Sequence, residues 1–227
     1  MIIPAFNEEA SILKAVQAVE GHGYDYVVVN DGSTDSTLQL CRDHHVNVLN
    51  LVENLGIGGA VQAGHRYALM HDYDIDVQFD GDGQHDIDYM KDLVETIEQG
   101  ADLVIGSRFL SITKGYQSTY MRRLGIRWLS FLIRVFGKMR ISDPTSGFRA
   151  SGRRAIQLFS ADYPMDYPEP ESIITALRHG LTVREIPVTM KERQGGRSSI
   201  KAFSGAYYMI KVSLAITITS LARKGSV

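Results

Sequence analysis

The sequence predicts a single α/β domain built on a largely parallel sheet flanked by helices, and two observations carry that reading. Short runs rich in Val, Ile and Tyr alternate with segments of helical apolar spacing along the first 110 residues, the pattern of strand–helix–strand units with right-handed crossovers. The clearest of these runs end in turns dense in Gly, Asp, Asn or Ser. Polar residues therefore collect outside the carboxyl ends of the strands, where such sheets bind ligands. A chain of 227 residues suits one large domain with an ample core rather than two. We divide it into residues 1–202, carrying the chemistry, and an apolar helical segment at 203–227.

Residues 1–4 can be only a strand end, and Asn7 is placed to cap a helix through Glu8, Ile12, Leu13, Val16 and Val19, which Gly21 and Gly23 stop. Residues 24–30 form a second strand. It ends in Asp31-Gly32-Ser33-Thr34-Asp35, a turn that also caps the helix carrying Leu38, Leu40 and Cys41. After a third strand at 46–52, Asn54-Leu55-Gly56-Ile57-Gly58-Gly59-Ala60 opens a helix to about Met70. Such a turn can offer backbone N–H groups to phosphate. It lacks the Lys-Ser/Thr pair of a Walker loop, and it follows the third strand rather than the first, where a Rossmann fingerprint belongs.

The fourth strand, residues 75–79, delivers Asp80-Gly81-Asp82-Gly83-Gln84-His85. Two glycines let the backbone turn tightly while the two carboxylates point toward one locus. Carboxylate and amide oxygens are the donors preferred by Mg²⁺ or Mn²⁺, which keep positions open for substrate phosphates. The alternative is a polar turn in which Asp86 or Asp88 caps the next helix, over residues 87–98. A buried fifth strand at 103–106 ends at Ser107-Arg108. Asp31, Asp80 and Arg108 thus all fall at strand ends, which favours the metal and nucleotide reading.

The net charge of −2 conceals a strong polarity along the chain. Residues 1–109 carry 5 Lys/Arg against 19 Asp/Glu, whereas 110–154 carry 10 against 1. Within the basic block, residues 120–137 have helical spacing. Arg123, Arg127, Arg134 and Lys138 fall within roughly 60° around the axis, and Met121, Trp128, Leu129, Leu132, Val135 and Phe136 cover the other side. Two readings stand: a helix lying in a membrane interface, or a surface helix packed on the sheet. Further on, 143–149 reads as a turn followed by a short helix near 153–159. A helix starts near Glu171, residues 181–188 form another strand, and a cationic loop spans 191–199. That loop is suited to closing over an anion or to serving as a solvated linker. Residues 203–222 are apolar, but Lys211 interrupts them and the uncharged run from Val212 is 11 residues, against about 20 for a bilayer span. We read the segment as interfacial or as a truncated anchor.

Hydrophobic residues at 44% and charged residues at 22% exclude a disordered chain. The single cysteine, Cys41, has no partner for an internal disulfide and reads as core. No leader is expected, since Met1 runs directly into Ile2-Ile3-Pro4 without a basic region; the opening strand looks clipped.

Taken together, Pro4-Ala5-Phe6-Asn7-Glu8-Glu9, Asp31-Gly32-Ser33-Thr34-Asp35, Asn54-Leu55-Gly56, Asp80-Gly81-Asp82-Gly83-Gln84-His85, Gly106-Ser107-Arg108, Asp143-Pro144-Thr145-Ser146-Gly147-Phe148-Arg149 and Arg193-Gln194-Gly195-Gly196-Arg197-Ser198 resemble the polyprenyl-phosphate glycosyltransferases of glycosyltransferase family two. The resemblance covers nearly the whole chain. It implies a GT-A fold, a nucleotide-sugar donor, Mg²⁺ or Mn²⁺, and inversion at the sugar carbon. By motif position, Pro4, Phe6, Glu8, Val29 and Asp31 would hold the nucleoside, and Asp80, Gly81, Asp82 and Gln84 the metal and diphosphate. Arg108, Arg122, Arg193 and Arg197 would hold the acceptor phosphate, with Asp143 a possible catalytic carboxylate or a turn carboxylate paired to Arg149 or Arg108. The family often has Lys directly after the Gly-x-Ser of the closing loop, where this chain has Ser199; Arg197 or Lys201 would supply that charge.

The expected reaction is transfer of a hexose from UDP-glucose or a UDP-N-acetylhexosamine to undecaprenyl or another polyprenyl phosphate, at the cytoplasmic face of the cell membrane, giving a lipid-linked sugar for envelope glycans. A phosphate monoester with second pKa ~6 is already largely ionised at neutral pH, so no general base is obligatory. GDP-mannose as donor, or a hydroxyl acceptor with Glu169 or Glu171 as base, is the alternative enzyme. A non-catalytic scaffold recruited to membranes is the alternative without chemistry. No nucleic-acid partner is expected, and oligomeric state is not readable.

Overall fold

The computed structural model describes residues 1–80, 85–110, 120–189 and 204–221, with backbone alone at 120–122, 204–206 and 208. Among the described residues seven strands form one sheet: β1 (Ile2–Ala5), β2 (Val27–Asn30), β3 (Val48–Asn50), β4 (Ile75–Gln78), β5 (Leu103–Ser107), β6 (Arg149–Gly152) and β7 (Val183–Pro187). Their order is β3-β2-β1-β4-β6-β5-β7. Every pairing is parallel except those of β6, which runs antiparallel between β4 and β5.

The helices are α1 (Ile12–Gly21), α2 (Thr37–Asp43), α3 (Gly56–Met70), α4 (Met90–Glu98), α5 (Tyr120–Gly137), α6 (Arg153–Ala161), α7 (Pro168–Arg178) and α8 (Ser204–Leu221). Strand alternation assigns them to layers. Ile3, Val28, Val77 and Val104 point to one face, where Ile12, Val16 and Val19 of α1, Cys41 of α2 and Leu93 of α4 bury them. Leu103 and Ile105 point to the other, beneath Phe159 of α6 and Ile173 and Ile174 of α7, with Leu129 and Ile133 of α5 and Val212 and Ile216 of α8 in the same cluster.

Two expectations are corrected. The helix after β1 starts at Ile12, not beside Asn7. Asn7 takes φ +57°, and its Oδ1 accepts from the amides of Thr34 (2.8 Å) and Asp35 (3.3 Å), tying the next loop instead of capping its own helix. Residues 149–152, read as the end of a turn, form β6 at the centre of the sheet. Arg-Ala-Ser-Gly has no β-branched residue to announce it; its neighbours on both sides impose the strand.

α5 has the bounds its spacing predicts. Its apolar side divides in two. Ile126, Leu129, Leu132 and Ile133 are buried, whereas Leu124, Trp128, Phe131 and Val135 are about half exposed and lie between that buried face and the exposed stripe of Arg123, Arg127 and Arg134; Lys138, expected on that stripe, takes φ +57° just past the helix end and leaves it. α8 packs alongside, with Trp128 Nε1 donating to Ser213 Oγ at 2.9 Å. Tyr207, Ile210, Leu214, Ile218 and Leu221 stay exposed on its outer side. No helix among the described residues is long and apolar enough to cross a membrane.

Candidate active site

The carboxyl ends of β1 and β2 make one half of the site. Pro4 pairs with Val29 across the sheet, and the Asp31 amide donates to Ala5 O at 2.9 Å. Asp31 is buried; its Oδ1 accepts from the Leu55 amide at 2.7 Å and its carbonyl from Asn54 Nδ2 at 3.0 Å. The loop before α3 is thereby fixed to the end of β2. Gly32 is required between them: it takes φ +65°, and a Cβ there would sit 2.8 Å from the Asn54 nitrogen. The loop after β1 is bound in turn to the loop after β2, through Asn7 N to Ser33 Oγ (3.0 Å) and Glu8 N to Thr37 Oγ1 (2.8 Å). Burial would raise the Asp35 pKa, but bonds from the Thr37 hydroxyl and amide and from the Glu9 amide outweigh it and hold the carboxyl below its ordinary value. Phe6 leaves this floor nearly half exposed. Pro4, Phe6, Glu8, Val29 and Asp31 are thus gathered at one end of two adjacent strands.

Asp80 stands just past β4, and its side chain is 35% exposed. Its amide donates to Nδ1 of His85 at 3.0 Å, so the ring proton resides on Nε2, which lies 3.4 Å from Asp80 Oδ2. The buried His85 ring stacks on Phe148 with centroids 4.7 Å apart and meets Phe79 edge-on. Gln78 Nε2 approaches Asp80 Oδ1 at 3.4 Å. Opposite, a Cβ on Gly147 would lie 3.0 Å from Asp80 Oδ2, so glycine keeps the space beside the carboxylate clear. A partly exposed carboxylate fits a hard divalent cation as one of its ligands. Gly81, Asp82 and Gln84, expected to complete that set, lie outside the described residues.

Arg108, just past β5, faces the buried Asp143. Its Nε donates to Oδ2 at 2.6 Å, its Nη2 to Oδ1 at 2.7 Å and its backbone amide to Oδ2 at 3.1 Å. Nη2 also reaches Thr145 Oγ1 at 3.0 Å. Asp143 is held from behind, because Glu185 of β7 accepts from the amides of Ser142 (2.8 Å) and Asp143 (2.9 Å). Of the two roles weighed for Asp143, the geometry shows pairing with Arg108. Both its oxygens are engaged and its side chain is fully buried. The Arg122 side chain and residues Arg193, Arg197, Ser199 and Lys201 lie outside the described residues.

Of two carboxyls at the start of α7, Glu169 lies near this region. Burial raises the pKa of Glu169, an effect Arg149 partly offsets, with Asp80 and Arg108 also within electrostatic reach. Burial, with repulsion from Asp166, lifts Glu171 to about 7. His85, Thr145 and Glu185 were not given roles from the sequence. His85 lay inside the quoted motif, whereas nothing local marks a glutamate on β7.

Strands β1, β2, β4 and β5 present their loops at one edge of the sheet, and the chain is a glycosyltransferase of the GT-A fold, as two comparisons show. The same architecture occurs in glucosyl-3-phosphoglycerate synthase from Mycobacterium tuberculosis solved with Mn²⁺, uridine diphosphate and phosphoglyceric acid, at TM-score 0.72 and 20% identity over 99% of this chain and 78% of that one. The chain belongs to glycosyl transferase family 2, whose profile matches residues 1–160. It is 31% identical over 210 residues to the undecaprenyl-phosphate mannosyltransferase of Micrococcus luteus, covering 88% of this chain and 86% of that protein. It is 29% identical over 209 residues to the UDP-N-acetylglucosamine–dolichyl-phosphate N-acetylglucosaminyltransferase of Methanococcus voltae, covering 83% of each.

Proposed function

We propose that this glycosyltransferase moves a hexose from a nucleotide sugar onto the phosphate of a polyprenyl phosphate, with inversion at the anomeric carbon. The observation that carries the reading is Arg108, held in a two-point fork by a buried carboxylate and set at the end of β5, across β6 from Asp80. A phosphate acceptor requires cations to offset its repulsion from the donor diphosphate; Asp143 neutralises and orients Arg108, so the net positive charge would come from Arg122, Arg193 and Arg197. It requires no base, because the nucleophilic oxygen is already ionised. The relatives named for polyprenyl-phosphate substrates support the same acceptor.

Asp31, with Pro4, Phe6, Glu8 and Val29, would hold the nucleoside. Asp80, with Gly81, Asp82 and Gln84, would hold Mg²⁺ or Mn²⁺ against the diphosphate; the ion, when bound, neutralises charge developing on the leaving group. His85 fixes the Asp80 carboxylate. Asp143 orients Arg108, and Arg122, Arg193 and Arg197 would complete the acceptor site. The donor proposed is a UDP-hexose, glucose or N-acetylhexosamine. GDP-mannose is the second reading, favoured by the mannosyltransferase name of the Micrococcus luteus relative.

The protein would work at the cytoplasmic membrane face, docked through α5 and α8. The basic stripe of Arg123, Arg127 and Arg134 lies directly beside exposed Trp128 and Phe131, the arrangement that binds anionic interfaces. The test is a screen of UDP-glucose, UDP-N-acetylglucosamine and GDP-mannose against a short-chain polyprenyl phosphate with Mn²⁺, with the matching polyprenol as control. Lipid-linked sugar from one donor and none from the free alcohol is expected. Equal transfer to the alcohol would overturn the phosphate assignment.

A further inference from the structure

Arg149 opens β6 and points to the face covered by α6 and α7. It is 3% exposed, and no carboxylate among the described residues closes an ion pair with it. Its three nitrogens are all spent on neutral oxygens instead: Nε on Ser146 O at 2.6 Å, Nη2 on Pro144 O at 3.1 Å and Nη1 on Ser172 Oγ at 2.8 Å. Ser172 Oγ also lies 3.2 Å from Glu169 O, in the first turn of α7. Glu169, Asp143 and Glu185 lie within its electrostatic reach, but none closes an ion pair with it; holding such a cation buried is costly, and an apolar side chain of similar volume would serve packing alone at least as well.

What the guanidinium grips is the segment that touches both halves of the site. Residues 143–148 carry Asp143 onto Arg108, Gly147 against Asp80 and Phe148 onto His85. Two of the gripped carbonyls, at 144 and 146, lie inside that segment, and the third contact ties it to α7. We propose that Arg149 is a positioning residue that sets the separation and mutual orientation of Asp80 and Arg108 by clamping the 143–148 loop to the start of α7. The inference rests on the acceptor reading above only for which substrate feels the change.

The experiment compares wild type with Arg149→Lys, Arg149→Met and Ser172→Ala, each melted thermally and then assayed well below its own melting temperature. Readouts are UDP or GDP affinity with Mn²⁺ by calorimetry, and kcat and KM for donor and for polyprenyl phosphate. Lys keeps the charge but cannot span three divergent acceptors. Arg149→Lys is therefore expected to lose roughly 10- to 100-fold in kcat/KM for the acceptor, from bonds to a charged group, with nucleotide affinity within about twofold. Ser172→Ala, which leaves both loop carbonyls gripped, should lose less than Arg149→Lys. A merely structural role predicts a lowered melting temperature with unchanged kcat and KM in the folded protein, and that result in Arg149→Lys overturns the proposal. If Arg149→Met does not fold, the lysine and Ser172 variants decide. A wild type inactive on polyprenyl phosphate but active on another acceptor defeats the acceptor reading alone, and the same comparison is then read on that acceptor.

Discussion

Asp143 and Arg108 are the residues whose loss the protein should tolerate least. Arg108 is nearly buried and Asp143 wholly so; replacing Asp143 with Asn removes the counter-charge while keeping the shape. We expect a loss of about 3 kcal/mol in denaturant unfolding, toward the low end for breaking a buried pair because the amide oxygen still accepts. Acceptor turnover should fall with it. Asp80→Asn differs in kind, since a partly exposed carboxylate at a strand end contributes little to the core. Its melting temperature should stay within a few degrees of wild type while Mn²⁺-dependent nucleotide binding weakens at least tenfold. Unchanged binding in calorimetry would remove Asp80 from the metal set. Asp80 was marked as a candidate by its Gly- and Asp-rich turn at a strand end, and Asp143 by the resemblance of its motif. Glu185 was not. It acts on the amides of Ser142 and Asp143, 43 and 42 residues away along the chain, and sequence spacing holds no trace of such a contact.

α5 was legible to the residue, because eighteen positions with a clear apolar period leave little freedom in its bounds. β6 was invisible for the opposite reason: four residues with small or charged side chains become a strand only through the partners on either side. The division of the apolar surface of α5 into a buried and an exposed half also exceeded the sequence, since it depends on where α8 lies. That exposed half makes a measurable claim. Binding to vesicles rich in anionic lipid should weaken as salt rises through the range that shortens the Debye length. It should drop by about 2 kcal/mol or more in the Arg123→Glu, Arg127→Glu double variant, from about 1 kcal/mol per basic residue near the surface. Salt-independent binding in sedimentation, or none, would return α5 to a plain packing role.

At the scale of the whole molecule, stability should respond to pH from two sides. The Asp35 carboxyl, held below its ordinary pKa, contributes stability that is present above that value and lost as pH falls through the folded one. Glu171 works oppositely. Its folded pKa of about 7 exceeds the unfolded value, so the folded state retains a proton that the unfolded chain gives up, and the contribution disappears as pH rises from about 4.5 to about 7. Glu171→Gln should therefore stabilise the protein at pH 8 by about 1–2 kcal/mol, allowing for partial exposure, and change little at pH 4. Equal effects at both values in thermal melts would show that the carboxyl titrates normally.

The antiparallel β6 has one more consequence, and it concerns the order of synthesis. Strands β1 to β4 lie contiguously in the first 80 residues and are adjacent in the sheet, so this half of the sheet can assemble while the rest of the chain is still emerging from a ribosome. The other half cannot, because β5 joins the sheet only through β6, which is made some forty residues after it. Until Arg149 to Gly152 arrive, β4 offers an unpaired edge and Arg108 has no Asp143. A nascent chain can thus form β1 to β4 first, and the half of the sheet that carries the Arg108–Asp143 pair last, when the open edge is closed.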